Sequence, residues 1–254
     1  MDRTYFERVR PTYLECWPEA LVAFSITGAD LPLTRDGAIA IGSQIRGHGL
    51  RFAPAPLPVE GLRLRIDDAL RAFPVGAFMR LGSGSAKDSC HTRLHGMRIT
   101  DGYGAVNMFR GGSGRLAFDL ELALRHDYEP HLFLRQWHEI PLWSEFRCFF
   151  IDRDFAGASQ YHCRNGLSFP EVVAAAPRIK AALKRFAFRL TPHLHLPDVV
   201  ADLFIAGDPG RDPAIYLLEL NPFFEFTEAC LFNWKKHDFD GSLRYLKMGV
   251  PAFV

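Results

Sequence analysis

Six stretches of the chain either alternate apolar with polar residues or form short apolar runs between turn-forming residues. Both patterns are typical of β-strands, in which successive side chains point to opposite faces of a sheet. The predicted strands are 76–81, 132–137, 144–151, 155–162, 199–206 and 214–221.

Apolar residues recur at helical spacing elsewhere in the chain. The predicted helices are 66–73, 102–109, 116–126 and 170–190. Pro177 is expected to be the first residue of the main part of the last helix, because proline fits the first turn. The core stripe of that helix is Ile179, Leu183, Phe186 and Leu190. A terminal helix is expected at residues 229–239, packed on the core through its apolar residues.

A chain of 254 residues is long enough for one large domain or two lobes. Its net charge of +1 gives no electrostatic argument for binding nucleic acid or an anionic membrane. The five cysteines include no C-x-x-C pair, which indicates free thiols in a reducing compartment. The first residues lack the apolar core of a signal peptide, and no apolar run approaches the roughly 20 residues of a membrane span. These features predict a soluble, cytoplasmic protein.

The strongest chemical signal comes from two strands joined by a turn-forming loop centred near Gly210. Pairing Ala206 with residue 214 or 215 brings Asp202 opposite Glu219 or one step from it. Cross-strand neighbours lie about 4.5–5.5 Å apart at Cβ. Asn221 is two residues beyond Glu219 and therefore projects from the same face. Three oxygen-bearing side chains thus converge on one patch of an apolar hairpin.

Two carboxylates at this distance repel each other, and one stays protonated unless a cation lies between them. Mg²⁺ takes a couple of carboxylate ligands and completes its shell with water and phosphate oxygens. The alternative is a surface hairpin whose acidic residues face water. Because Asp202 and Glu219 have apolar neighbours that indicate burial, the pattern favours a metal site with Asp202, Glu219 and Asn221 as ligands.

The loop 82–89, which follows the strand 76–81, is rich in small residues. Such a loop exposes backbone N–H groups, and the nearby Arg80 and Lys87 would favour a phosphate. The loop lacks the spacing of a Walker motif, and a solvated turn is the alternative.

The strand 144–151 places Glu145, Arg147 and Phe149 on one face. A buried charged side chain without a partner is costly. Two interpretations therefore stand: a salt bridge between Glu145 and Arg147 on an exposed face, or an arginine fork that binds a phosphate or a substrate anion.

Five segments, in collinear order, together resemble the cell division cycle protein 123 family. They are FMRLGSGSAKDS, LFLRQWHEIPLWSEFRCFF, the ASQ of the following strand, ADLFI and YLLELNPFFEFTEACLFNW. The combination of LRxW, EFRCF and a carboxylate-x-Asn-Pro-Phe ending is specific, and the resemblance covers residues 73–236.

The resemblance implies an ATP-grasp-like α+β fold, in which two α+β lobes with antiparallel sheets enclose a nucleotide cleft. Residues 1–134 would form the N-terminal lobe, with a phosphate-side loop at 80–89, and residues 135–254 the C-terminal lobe. It implies ATP and Mg²⁺ as cofactors, with the metal on Asp202, Glu219 and Asn221. The residues implied to bind ATP are Arg80, Lys87, Asp88, Arg135, Gln136, Trp137 and His138.

The chain departs from the family pattern at several of these positions. Arg80 and Gln136 stand where the family has lysines, Gly82-Ser83 replaces Asn-Trp, and Glu219 replaces an aspartate. Arginine and lysine contact phosphates differently, so we expect an altered nucleotide affinity.

Eukaryotic members of this family assist the assembly of translation initiation factor 2 by binding its gamma subunit. The resemblance therefore implies an ATP- and Mg²⁺-binding assembly protein, with that subunit or a GTPase-like protein as partner, and with neither a membrane nor a nucleic acid. The alternative is an ATP-dependent ligase that joins a carboxylate to an amine or thiol through an acyl phosphate. Arg147, paired with Glu145, is the candidate catalytic residue for that reaction.

Overall fold

The computed structural model of the chain describes residues 3–47, 58–208 and 213–254. Its α-helices are α1 (Arg3–Val9), α2 (Glu19–Val22), α3 (Arg35–Gln44), α4 (Glu60–Leu70), α5 (Cys90–His95), α6 (Gly102–Arg110), α7 (Gly114–Arg125) and α8 (Pro170–Leu190). Its strands are β1 (Gly28–Pro32), β2 (Ala77–Leu81), β3 (Arg98–Ile99), β4 (His131–Gln136), β5 (Glu145–Ile151), β6 (Asp154–Gln160), β7 (Val199–Ala206), β8 (Ala214–Pro222), β9 (Leu243–Lys247) and β10 (Val250–Phe253). Within the described ranges, no helix is long and apolar enough to cross a membrane.

The six predicted strands are confirmed as β2 and β4–β8, with ends that differ by at most two residues. The four predicted helices correspond to α4, α6, α7 and α8. Several helices begin at a side chain that accepts a hydrogen bond from a backbone N–H of the first turn, which satisfies a donor that the helix itself cannot. These capping residues are Thr34, Ser89, Asp101 and Ser113.

The prediction for Pro177 is wrong. Helix α8 begins at Pro170 and continues through Pro177 as a single helix. Pro170 satisfies the preference for proline in the first turn, whereas Pro177 only removes one backbone donor from the helix interior. The predicted core stripe is confirmed, because all four of its residues are buried.

The predicted terminal helix at 229–239 is also wrong, because this segment forms turns. Its polar side chains bind its own backbone: Asp238 accepts from the N–H of Asn233, and Asn233 accepts from the N–H of Lys235. Such local bonds compete with a helix. Cys230 and His237 have φ angles of 54° and 48°, which a right-handed helix excludes.

The chain forms two compact units. The first contains Met1–Glu15 and Thr27–His138, and the second contains Cys16–Ile26 and Glu139–Val254. Residues 135–138, predicted in the C-terminal lobe, lie in the first unit because β4 pairs there with β1 and β2. Residues 16–26 lie in the second unit, where Ser25 forms a parallel bridge with Leu217 and donates its hydroxyl to the Leu217 carbonyl at 2.8 Å.

The first unit contains a four-stranded antiparallel sheet in the order β1-β4-β2-β3. One face of this sheet packs against α3, α4, α6 and α7 to form the core. Strand alternation places two arginines, Arg80 and Arg135, together on the opposite face.

The second unit contains a six-stranded sheet in the order β10-β9-β6-β5-β7-β8, antiparallel except for the β6–β9 pair. Helix α8 packs against β6 and β9. Residues 223–239 cross the face that carries Phe149 and Val200, and they cover it with a cluster of aromatic rings. The ring contacts of this cluster join Phe149, Phe223, Phe232, Trp234 and Phe239.

The packing of α6 on α4 depends on a glycine. A Cβ added to Gly102 would lie 2.6 Å from the carbonyl oxygen of Arg63, and the Gly102 N–H donates to Asp67 at 2.6 Å. We expect Gly102→Ala to lower the free energy of unfolding by about 1–3 kcal/mol, because the two helices must separate. Urea denaturation monitored by circular dichroism measures this change.

Gly61→Ala in α4 is the matched control, since a Cβ at Gly61 meets no atom within 4 Å. Alanine is a better helix former than glycine by about 0.8–1.0 kcal/mol, so this variant should be as stable as the wild type or more stable. A similar change for both variants would contradict the close packing at Gly102.

Candidate functional site

The β7–β8 pair places Asp202 opposite Glu219, as the sequence predicts. The pairing follows one constant register from Ala206 to Leu203, and its continuation would bring Asp202 opposite Leu218. A β-bulge between Asp202 and Leu203 shifts the pairing by one residue, so that Asp202 meets Glu219 and Val200 meets Asn221. The centre of the connecting loop, residues 209–212, lies outside the described residues.

A third strand adds an arginine to this acidic face. Arg147 of β5 pairs in register with Asp202, so the two side chains project from the same face of the sheet. Arg147 is 5% exposed and Asp202 is 3% exposed, whereas Glu219 and Asn221 are half-buried. The face therefore combines two carboxylates, an amide and a guanidinium.

Arg147 binds Asp202 through a two-pronged fork. Its Nε donates to Asp202 Oδ1 and its Nη2 to Asp202 Oδ2, both at 2.7 Å. Its Nη1 donates to the carbonyl oxygen of Glu228 at 2.8 Å, and its guanidinium lies 4.9 Å from the ring centre of Tyr161. Burial disfavours the charged guanidinium, but the attraction and hydrogen bonds of Asp202 outweigh it and raise the pKa of Arg147.

The alternative of an exposed Glu145–Arg147 salt bridge is wrong, because Arg147 is buried and its ion pair is with Asp202. Glu145 instead lies 3.7 Å from the Nε2 atom of His162. Sequence alternation correctly places Glu145 and Arg147 on one face. Sequence alternation does not show that β7 pairs with β5 and places the Asp202 carboxylate closer to Arg147 than the Glu145 carboxylate.

Asp202 is the most constrained group of the site. Burial raises the pKa of its carboxyl, Arg147 opposes this increase, and a hydrogen bond with the Glu219 side chain adds to it. The Nδ2 of Asn221 also donates to Asp202 Oδ2 at 3.1 Å. The negative charge of Glu219, directly across the strand pair, therefore adds to the effect of burial on the pKa of Asp202.

This donor set fits Mg²⁺, which binds carboxylate and amide oxygens and offsets the repulsion between two adjacent carboxylates. The amide nitrogen of Asn221 donates to Asp202, so the amide oxygen of Asn221 takes no part in that hydrogen bond. Among the described residues, no cluster of three or more His, Cys, Asp or Glu side chains could hold a metal ion. The donor set of Asp202, Glu219 and Asn221 differs from such a cluster, because one of its three members is an amide.

In the first unit, Arg80 and Arg135 are 5% and 4% exposed. The β2–β4 register pairs Arg80 with Phe133 and Phe78 with Arg135, so both guanidinium groups project from one face. Three further predicted nucleotide contacts lie at the end of β4, with Gln136 exposed and Trp137 and His138 half-buried. Burial lowers the pKa of His138, and the charge of Arg135 lowers it further.

The loop 82–89 is held to α7 by two carboxylates. Asp88 accepts from the hydroxyl of Ser113 at 2.5 Å and from the N–H of Arg115 at 3.2 Å. Burial raises the pKa of Asp88, but these hydrogen bonds outweigh burial, so the pKa lies below its ordinary value. Asp119 accepts from the hydroxyl of Ser83 at 2.8 Å, and burial raises its pKa to about 6. Asp88 thus anchors the loop, and Lys87 beside it is exposed.

The departure from the family pattern at Gly82 has a structural reason. A Cβ at Gly82 would lie 1.5 Å from Glu15 Oε2, so the Glu15 carboxyl fills the space that a side chain would need. Glu15 Oε1 accepts from the hydroxyl of Tyr128 at 3.0 Å. Burial raises the pKa of Glu15, which is opposed by its hydrogen bonds. Asparagine at position 82 is therefore incompatible with Glu15 in this position.

Tyr161 and Glu228 belong to the site, although sequence reasoning missed both. Tyr161 packs its ring against Arg147, and Glu228 contributes a backbone carbonyl oxygen. Burial raises the pKa of the Tyr161 hydroxyl, and the charges of Asp202 and Glu219 raise it further. A carbonyl contact leaves no trace in the residue pattern. For Tyr161, the YH that ends the predicted strand 155–162 is the signal that could have found it.

The comparisons with known proteins agree on one family. The D123 family profile matches residues 118–243, which contain Arg147, Asp202, Glu219 and Asn221. A translation initiation factor eIF2 assembly protein from Candida albicans is 26% identical over 133 residues. The match covers 48% of this chain and 36% of the relative, so the chain spans little more than a third of that protein's length.

Two solved structures resemble most of the chain. Cdc123 from Schizosaccharomyces pombe has a TM-score of 0.72 at 18% identity, with 91% of this chain and 90% of that chain covered. A C-terminally truncated form of the same protein has a TM-score of 0.71 at 18% identity, with 89% and 88% covered. At this identity the likeness shows the fold, and the predicted ATP-grasp-like α+β class is confirmed. The resemblance stated from the sequence motifs is confirmed as well.

Removing the arginine of the buried pair should destabilise the protein. We expect Arg147→Met to lower the free energy of unfolding by about 3–5 kcal/mol, because Asp202 is left buried without its counter-ion. The double variant Arg147→Met with Asp202→Leu should recover much of this loss, since no charge then remains unpaired. Chemical denaturation of the three proteins measures both effects.

Arg164→Met is the matched control. Arg164 forms an equally well-formed fork with Glu228, at 2.9 and 2.7 Å, but its side chain is 77% exposed. Exposed pairs contribute about 0–1 kcal/mol. Equal losses for Arg147→Met and Arg164→Met would show that burial does not determine the contribution of the Arg147 fork.

Proposed function

We infer the function of this chain from the D123 family, whose profile matches residues 118–243, and from the acidic face of its second unit. We propose that it is an ATP- and Mg²⁺-binding assembly protein that acts on a translation initiation factor. The observation that carries the nucleotide part of this proposal is the convergence of Asp202, Glu219 and Asn221 on one face of a sheet. The partner part rests on the curated relative, which is described as an eIF2 assembly protein.

Asp202, Glu219 and Asn221 are the proposed ligands of Mg²⁺. Two adjacent carboxylates are a favourable place for a cation, because the cation removes the repulsion between them. When bound, Mg²⁺ would offset the negative charge of the triphosphate. Arg147 holds Asp202 in place and keeps part of its charge neutralised, so we expect a modest affinity for Mg²⁺ without nucleotide.

In the first unit, Arg80 and Arg135 are the proposed contacts for the nucleotide. Two buried guanidinium groups on one sheet face suit a phosphate anion, which accepts paired hydrogen bonds from arginine. Lys87, Gln136, Trp137 and His138 remain proposed contacts from the family resemblance. Asp88 contributes through its hydrogen bonds to α7, which determine the position of the loop 82–89.

The partner is proposed to be the gamma subunit of translation initiation factor 2 or a related GTPase. The support is the name of the curated relative, together with a fold that matches Cdc123 over most of the chain. The ligase alternative gains no support in the described residues. Its candidate catalytic group, Arg147, donates from all three guanidinium nitrogens to Asp202 and Glu228.

Calorimetric titration of ATP tests the nucleotide site. We expect the wild type to bind ATP in the presence of Mg²⁺, and Asn221→Ala and Glu219→Gln to weaken this binding at least about tenfold, a loss of about 1.4 kcal/mol. Both residues are half-buried and neither forms the ion pair with Arg147, so the folded state should survive better than in Asp202→Ala. Glu225→Gln, which removes an exposed carboxylate from the following turn, is the control and should bind like the wild type.

The result can go against the proposal in two ways. Folded wild type that does not bind ATP would contradict the nucleotide site altogether. Binding that is independent of Mg²⁺, or equally weakened by Glu225→Gln, would contradict the assignment of Asp202, Glu219 and Asn221 as metal ligands.

Direct binding to a purified partner tests the assembly role. We expect the chain to co-elute with the gamma subunit of translation initiation factor 2 in size-exclusion chromatography, and not with a translation elongation GTPase of similar size. Co-elution with neither would contradict the proposed partner, and co-elution with both would contradict a specific interaction with the gamma subunit. This result is independent of the titration, since a protein can bind the subunit without binding ATP.

A further inference from the structure

Two cysteines that are distant in sequence meet beside the acidic face. Cys163 follows the end of β6, and Cys230 lies in the turns of the segment 223–239. Their thiols are joined by a hydrogen bond, and both side chains are partly exposed. The functions proposed above use neither thiol.

Several contacts hold the two backbone segments together at this point. The carbonyl oxygen of Tyr161 accepts from the N–H of Cys163 at 2.9 Å, and the Sγ of Cys230 lies 3.9 Å from the same oxygen. Arg164, the residue after Cys163, forms two hydrogen bonds with Glu228, which lies two residues before Cys230. These contacts hold together the two backbone segments that carry Cys163 and Cys230.

The backbone at Cys230 is unusual. Its φ angle of 54° lies in the left-handed region, which residues other than glycine adopt rarely. A conformation of this kind persists only where surrounding contacts impose it. At this position it directs the thiol of Cys230 toward Tyr161 and Cys163.

The two thiols differ in acidity. The hydrogen bond from Cys230 lowers the pKa of Cys163 to about 7, despite the opposing effect of burial. The same hydrogen bond and burial raise the pKa of Cys230. A thiolate is the reactive form of cysteine, and an accessible thiolate next to a second thiol is the arrangement found in redox-sensing pairs.

We propose that Cys163 and Cys230 form a redox-sensitive pair that closes to a disulfide when a hydroperoxide reaches it. Cys163 is the attacking residue and Cys230 the resolving residue. This inference does not depend on the proposed nucleotide or partner binding.

The reaction has two balanced steps. The Cys163 thiolate attacks one oxygen of hydrogen peroxide, so that an S–O bond forms, the O–O bond breaks and hydroxide leaves. The sulfur of Cys230 then attacks the sulfur of Cys163. The S–S bond forms, the S–O bond breaks, and the departing hydroxide takes the proton of Cys230. In sum, two thiols and one hydrogen peroxide give a disulfide and two waters.

The consequence of oxidation falls on the neighbouring acidic face. Glu228, two residues from Cys230, accepts from Arg147 through its carbonyl, and Tyr161, two residues from Cys163, packs on the same guanidinium. A disulfide would covalently join the two segments that carry these contacts. The pair is therefore placed to change how firmly Arg147 is held.

Peptide mapping after oxidation tests the pair. The full chain is treated with hydrogen peroxide, its remaining thiols are blocked with N-ethylmaleimide, and the digest is analysed by mass spectrometry without reduction. We expect a linked peptide that joins Cys163 to Cys230, the loss of two of the five free thiols, and recovery of both with dithiothreitol. A wild-type digest without this linked peptide would overturn the proposal.

Single variants assign the two roles. With dimedone present, Cys230→Ser should accumulate a sulfenic acid adduct on Cys163, whereas Cys163→Ser should show no adduct on Cys230. Cys90→Ser is the control, because Cys90 is exposed and lies in the first unit. In this variant the disulfide between Cys163 and Cys230 should form as in the wild type. An adduct on Cys230 in Cys163→Ser would reverse the assignment. Should Cys230→Ser fail to fold, the wild-type map and Cys163→Ser still decide.

Discussion

The buried ion pair between Arg147 and Asp202 is the interaction on which the second unit depends. Burying both charges carries a large desolvation penalty, which is offset only when the geometry is good and the remaining donors are satisfied. Both conditions are met, because the fork is paired at 2.7 Å on each side and the third nitrogen binds the Glu228 carbonyl. The pair thereby joins three parts of the chain: β5, β7 and the segment 223–239.

The same pair determines what the acidic face can bind. Asp202 has the guanidinium of Arg147 on one side and faces Glu219 across the β7–β8 pair on the other. The proposed metal ion would bind on the side of Glu219 and Asn221, so that the guanidinium of Arg147 keeps its place beside Asp202. The aromatic cluster around Phe149 and Phe232 covers the same face of the sheet. This apolar cover raises the strength of every electrostatic interaction beside it.

In the first unit, the loop 82–89 consists mostly of small residues and is held in one conformation by contacts with other parts of the chain. Such a loop has few side chains that can pack against a core, so hydrogen bonds with acidic side chains hold it in place. Asp119 and Asp88 tie it to α7, and the Glu15 carboxyl occupies the space beside Gly82. Glycine at position 82 thus leaves free the space that the Glu15 carboxyl fills.

Local pattern determined much of this protein. Period-two alternation and turn residues located six strands, placed Asp202, Glu219 and Asn221 on one face and put Arg147 on the same face as Glu145, because side-chain direction in a strand depends only on parity. Tertiary structure decided the rest. The bulge that brings Asp202 opposite Glu219, the choice of Asp202 rather than Glu145 as partner of Arg147, the turns at 229–239 and the meeting of Cys163 with Cys230 all depend on which distant segments become neighbours. Pairing energies between such segments are set by burial and geometry in the folded chain, and the sequence pattern of either segment alone does not contain them.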